Sequence, residues 1–205
     1  MQDSVTPHRT VHVRIHVSVA GASSRIASSL CAACPHAPAG CCSGPPPFRW
    51  ADIGRVVALG GRDWLLGEIA AGRIDPSGGG LTIARRRGLA RPGGPRVAKC
   101  VYHGPAGCRI RGETRPATCN YYVCDEALGA PRECGLGAST ERAQGAEGLA
   151  AARALHAGLA QRLTAFNAIL ADRVAVGWLT GFAFDAAFLD WLGAEFAALE
   201  AGYCT

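Results

Sequence analysis

Four cysteines fall within twelve residues, Cys31, Cys34, Cys41 and Cys42, in the pattern C-x2-C-x6-C-C. A C-x2-C turn doubles the backbone back over the intervening pair, so both sulfurs can reach one metal ion. Pro35, Pro38 and Gly40 force a loop between the two pairs. Such a loop has little apolar surface with which to close itself. A metal ion, a cluster or a disulfide could close it instead. A second burst follows at Cys100, Cys108, Cys119, Cys124 and Cys134, so nine of the ten cysteines lie between residues 31 and 134. Cys204 stands apart near the C-terminus, where chains usually fray, and is expected not to be a ligand.

Compartment decides between metal and disulfides, because reducing surroundings make structural disulfides rare. Residues 1–20 contain no apolar run of secretory type, and His12, Arg14 and His16 interrupt what hydrophobicity there is. No stretch approaches the roughly eighteen apolar residues of a membrane span. A cytoplasmic, reduced protein with metal-bound thiolates is the expectation. A disulfide-stapled exported protein is the alternative, and ten cysteines pair evenly. Soft thiolates suit zinc or iron, an iron–sulfur cluster included. His36 and His103 lie close to these cysteines, where a nitrogen ligand is conceivable but an exposed or supporting role is preferred. Adjacent Cys41 and Cys42 are expected to point apart, one sulfur to each of two sites, giving at least two metal ions held by two sets of four sulfurs. Residues 31–134 are expected to need that metal to fold.

The net charge of +5 is unevenly placed. Residues 81–120 hold nine basic residues (Arg85, Arg86, Arg87, Arg91, Arg96, Lys99, Arg109, Arg111 and Arg115) against Glu113 alone. The run Arg85-Arg86-Arg87 could meet nucleic acid, but a solvated turn is preferred and a nucleic-acid partner is disfavoured. A local role is also open, since thiolates around a divalent ion leave a negative site that arginines would offset. Neither a phosphate loop nor a nucleophile–base pair can be defended. Gly78-Gly79-Gly80 lacks the Lys-Ser/Thr ending, so no catalytic residue is assigned and enzymatic activity is left open.

The elements that must carry these thiols can be read in outline. Residues 11–19 alternate strictly, with Val11, Val13, Ile15, Val17 and Val19 on one face and His12 and His16 on the other, which predicts a strand. Asp52 is a candidate N-cap for a short helix through Ile53, Val56, Val57 and Leu59, stopped by Gly60-Gly61. Asp63 could cap a second helix with Trp64, Leu65, Leu66 and Ile69 inward, ending at Gly72. Residues 76–80 read as a turn or link, then 81–83, 97–102 and 107–110 as short strands, the last two forming a hairpin. Arg115-Pro116 opens a helical turn with Cys119 and Cys124, and Cys134 falls in a Gly-rich tail. Beyond about Ser139, Leu149, Ala152, Leu155, Leu159, Leu163, Phe166 and Leu170 recur at helical steps, and a further helix carries Phe188, Trp191, Leu192, Phe196 and Leu199. The expected class is α+β: an N-terminal strand or extension (1–27), a small irregular cysteine-cluster domain (28–137) and a C-terminal helical pair (138–205). That pair either packs on the cysteine domain or offers a partner or dimer surface.

The second burst reads Cys100-Val-Tyr-His, Cys108-Arg-Ile110 and Arg115-Pro116-Ala-Thr-Cys119. Together with the upstream group ending in Cys41-Cys42, this resembles the YkgJ-type cysteine-cluster family, described as zinc- or iron-chelating. The resemblance covers about residues 31–124, with each piece in the family's order. Arg111 and Asn120 stand where the family often has Tyr and Arg. The resemblance implies metal or iron–sulfur binding, and some relatives are labelled oxidoreductases, so an iron–sulfur redox protein is a further alternative. Flagellin lysine methylases carry a similar cluster. The expected ligand set is Cys31, Cys34, Cys41, Cys42, Cys100, Cys108, Cys119 and Cys124.

Overall fold

The computed structural model describes residues 13–21, 24–31, 40–87, 98–104, 107–122, 124, 132–137, 146–178, 181 and 183–203. Helix α1, Trp50–Ala58, is the element on which the others are stacked. Ile53 and Val56, one turn apart, are fully buried, and Trp50 joins them. The helix begins two residues before the expected cap. Arg49 is the N-cap and Asp52 the third helical residue, its carboxylate accepting the Arg49 backbone N–H at 3.1 Å. Asp52 therefore serves from within the first turn, as a capping-box acid does. Gly60, with φ at 83°, follows the helix end in the left-handed region as expected. Helix α2, Arg62–Ala70, starts at once from Gly61, so Asp63 lies inside its first turn. Leu65 is fully buried, Trp64, Leu66 and Ile69 pack partly buried on the core, and Glu68 is an unforeseen buried acid.

The strands are short and mostly paired in twos. β1, Val13–Ser18, realises the alternating signal: Ile15 and Val17 are buried and His16 is exposed. Val19, expected on the inner face, lies past the strand end and is exposed. β1 pairs antiparallel with β2, Arg25–Ser28. β3, Ile74–Ser77, and β4, Gly80–Ile83, form a hairpin in which Pro76 pairs with Leu81, so the expected link narrows to its Gly78-Gly79 tip. β5, Arg85–Arg87, pairs antiparallel with β6, Ala98–Cys100. The triple-arginine run is thus a strand and not a turn, although Arg85 and Arg86 are exposed to solvent as expected. The expected hairpin is also shifted: β6 spends its ladder on β5, and the tight hairpin is β7, His103–Gly104, with β8, Gly107–Cys108. The Gly-rich tail is corrected too, for β9, Arg132–Gly137, runs parallel to β1 with Cys134 opposite Ile15.

Helix α3, Ala117–Tyr121, is brief. The C-terminal pair is α4, Ala146–Gly177, and α5, Ala186–Tyr203. Leu159, Leu163, Phe166 and Leu170 of α4 and Phe188, Leu192 and Phe196 of α5 are buried, as their spacing predicts. These faces close over α1: Phe188 meets Trp50 edge-on at 6.1 Å, and Phe166 meets Phe196 edge-on at 5.8 Å. Each such ring contributes about 1.5–3 kcal/mol by leaving water. The architecture is α+β with a helical C-terminal pair. No helix among the described residues is long and apolar enough to cross a membrane.

Glycine sets how closely α1 and α5 approach. A Cβ on Gly54 would stand 2.7 Å from Phe196 Cβ and 2.9 Å from the Leu192 carbonyl oxygen; one on Gly193 would stand 2.5 Å from Val57 Cγ1. A Cβ on Gly67, in α2, would meet nothing within 4 Å. Gly54→Ala should therefore lose about 1–3 kcal/mol by overpacking. Gly67→Ala should gain about 0.5–1 kcal/mol from helix propensity. Urea unfolding of both variants checks the opposite signs; two stabilised variants would refute the close contact.

Candidate metal centre

Four separate segments carry the cysteines that meet. Cys41 and Cys42 lie in a 3-10 turn, Cys41–Ser43. Arg85 of β5 donates to the Ser43 carbonyl at 3.2 Å and stands in register with Cys100. β5 thereby ties the turn to β6, where Cys100 is buried. Cys108 ends β8 opposite His103, and that hairpin is extended by the Arg109 N–H on the Tyr102 carbonyl at 3.0 Å. Cys119 is half-buried on α3.

Two buried charges of α1 hold α3 in place. Asp52 accepts the Ala117 N–H at 2.6 Å, on the first residue of α3. Arg55, 1 % exposed, donates to the carbonyls of Glu113, at 3.4 Å, and of Arg115. Arg115 in turn donates to the Ile110 carbonyl at 2.5 Å, and Asn120 to that of Gly112 at 2.7 Å. The Arg115-Pro116-x-x-Cys119 motif is thus clamped from both sides by a helix that carries no cysteine. Sequence reading took Asp52 for a cap alone and gave Arg55 no role.

The Cys41 and Cys42 thiols are the strongest influence on each other's ionisation. They stand in a 3-10 turn, which rotates consecutive residues by about 120°. A hydrogen bond from Cys42 brings the Cys41 thiol down to about 6, against the opposing effect of burial and with help from the Lys99 charge. Cys42 goes far up, from that same bond, then burial, then the charges of Cys41, Cys100 and Cys108. Cys100 is raised by burial and by Cys108, with Arg86 opposing. Burial pushes Cys119 up to about 12, with Cys108, Cys100 and Cys41 adding and Arg115 opposing. Burial, with Lys99 and Arg86, lowers His103 and favours its neutral imidazole. Basic residues of 81–120 thus act on the thiols themselves, and Arg86 is also bonded to the His103 carbonyl at 2.7 Å.

Of the expected ligands, the structure gathers Cys41, Cys42, Cys100, Cys108 and Cys119 into one neighbourhood, and none of these five is in a disulfide. Cys31 ends an exposed 3-10 turn, Ser29–Cys31, and Cys124 lies half-buried beyond α3 rather than on it. Their charges are not among the strongest felt by Cys41, Cys42, Cys100 or Cys119. Cys34, His12, His36 and Cys204 lie outside the described residues. Among the described residues no group of three or more Cys, His, Asp or Glu side chains is placed so as to hold a metal ion. The donor chemistry fits a soft or borderline cation even so, since four thiolates complete a tetrahedral zinc or iron site. No family model, curated protein or solved structure matches this chain.

Proposed function

We propose that the chain is a metal-chelating protein of reducing, cytoplasmic surroundings, of the YkgJ type, binding zinc or iron through Cys42, Cys100, Cys108 and Cys119, with Cys41 beside them. One observation carries this reading: thiols from four segments far apart in sequence are brought within reach of one another's charge. Thiolates gathered this way repel, and a divalent cation relieves that repulsion. With Cys42, Cys100, Cys108 and Cys119 supplying one set of four sulfurs, the reading is of one centre rather than the two first expected. When bound, the cation would cross-link the turn, β6, β8 and α3.

Metal analysis and an absorption spectrum of anaerobically purified protein test this. The expected result is about one zinc or iron per four thiolates, with Cys100→Ser and Cys108→Ser each losing most of it. Bands from sulfur-to-iron charge transfer would assign iron, and with a reversible reduction would favour the iron–sulfur redox alternative. A colourless zinc protein supports chelation alone. Protein that contains no metal and holds its cysteines as disulfides would overturn the proposal.

A further inference from the structure

A second site lies on the face of the β7–β8 hairpin next to α2. Trp64, Glu68, Arg73, Tyr102, Arg109 and Arg111 are among the residues lining a cavity of about 470 Å³. That volume suits a small-molecule ligand. Its charge is unbalanced. The cavity's one acid, Glu68, is already engaged: Arg73 donates to both its oxygens, at 2.5 and 2.8 Å, and the Tyr102 hydroxyl donates to it as well. These bonds hold Glu68 below its ordinary range, with Arg73 the larger cause.

Among the described residues Arg109 and Arg111 have no counter-ion. Arg109 gives one N–H to the Val101 carbonyl at 2.9 Å, and its remaining donors make no other bond among the described residues. Arg111 has no side-chain hydrogen bond or ion pair among the described residues. The Arg109 stem is laid flat by Gly104, where a Cβ would come within 3.2 Å of Arg109 Cδ. Trp64 adds an aromatic surface and packs at 6.2 Å from the Tyr102 ring. Two guanidinium forks beside an indole suit a planar body that ends in an oxyanion, since the forks pair with carboxylate or phosphate and the ring stacks.

We propose that this cavity binds an aromatic anion, a planar ring bearing a phosphate or carboxylate held by Arg109 and Arg111. None of its lining residues is a cysteine, but Arg109 and Arg111 lie in the segment that the proposed metal holds folded, and in that respect the site rests on the metal reading. Calorimetric titration of the metal-replete full chain with AMP and with indole-3-acetate tests it, with adenosine and inorganic phosphate as partial ligands. At least one of the two aromatic anions should bind, and whichever does identifies phosphate or carboxylate as the source. Adenosine and inorganic phosphate should each bind at least tenfold more weakly than the corresponding whole ligand. Arg109→Gln and Arg111→Gln should each weaken binding about tenfold, the loss of one charge-assisted contact. Arg153→Gln, on an exposed part of α4, should leave binding unchanged. The proposal is overturned if neither anion binds, or if Arg111→Gln, an exposed change that leaves the fold intact, binds as the parent does.

Discussion

Arg55→Ala should remove about 2–5 kcal/mol of unfolding free energy, because a buried side chain that satisfies two carbonyls is lost. Arg55 is buried among Asp52, Glu113 and Arg115, and burial lowers its pKa while Asp52 opposes that shift most strongly. Truncation leaves three groups stranded at once. The carbonyls of Glu113 and Arg115 lose their donor, and the buried Asp52 loses the positive charge that acts on it most strongly. Each unpaired buried acceptor adds about 1–3 kcal/mol. Arg55→Lys should fall between, because an ammonium is a single point of charge and cannot span both carbonyls as a planar fork does. Denaturant unfolding measures the stability change, and the rate of thiol labelling at Cys119 measures the loosening of α3. A loss below about 1 kcal/mol with labelling unchanged would show that the clamp holds nothing.

The same clamp shows where sequence reading reached and where it stopped. The faces of α4 and α5 were legible because long helices repeat their period many times, and Leu163, Phe166, Phe188 and Phe196 lie where that period puts them. β1 was legible for the same reason at period two. β9 was not, since its partner is a strand more than a hundred residues earlier, and Cys134 in a Gly-rich context carries no local strand signal. The sharing of β6 with β5 was hidden in a run of arginines whose charge suggested solvent. Among the candidate ligands, cysteine spacing named the five that meet. It did not foresee the 3-10 turn that carries Cys41 and Cys42. Asp52 and Arg55 were invisible as a pair: three residues apart on a helix, they resemble an ordinary surface pair until both prove buried. A charged pair falling in the middle of an apolar helical stripe is the signal that could have found them.

Stripping the proposed metal with a chelator should melt one part of the molecule and leave the rest standing. The part that melts is residues 98–122 with the turn at 41–43, where β7 and β8 have two residues each and β6 three. Strands this short fall well under the usual five or six residues and cannot hold a ladder alone. Metal binding to such a site appears as folding free energy, about 10–16 kcal/mol in small zinc domains, which rivals the whole stability of an ordinary domain. α1 and α2 were expected to loosen with the cysteine region. They should instead persist, because Phe48, Ile53, Val56 and Leu65 belong to the core that α4 and α5 complete. Helical circular dichroism should therefore change little. Two amides in the melting segment should lose protection against hydrogen exchange: Val101, bonded to the Ala84 carbonyl at 3.1 Å, and Arg109, bonded to that of Tyr102 at 3.0 Å. The Leu65 amide, bonded within α2 to Gly61 at 3.0 Å, should keep its protection. Verified metal-free protein in which Val101 and Arg109 exchange as slowly as before would show that the hairpin folds without help and that the cation, if it binds, binds a finished site.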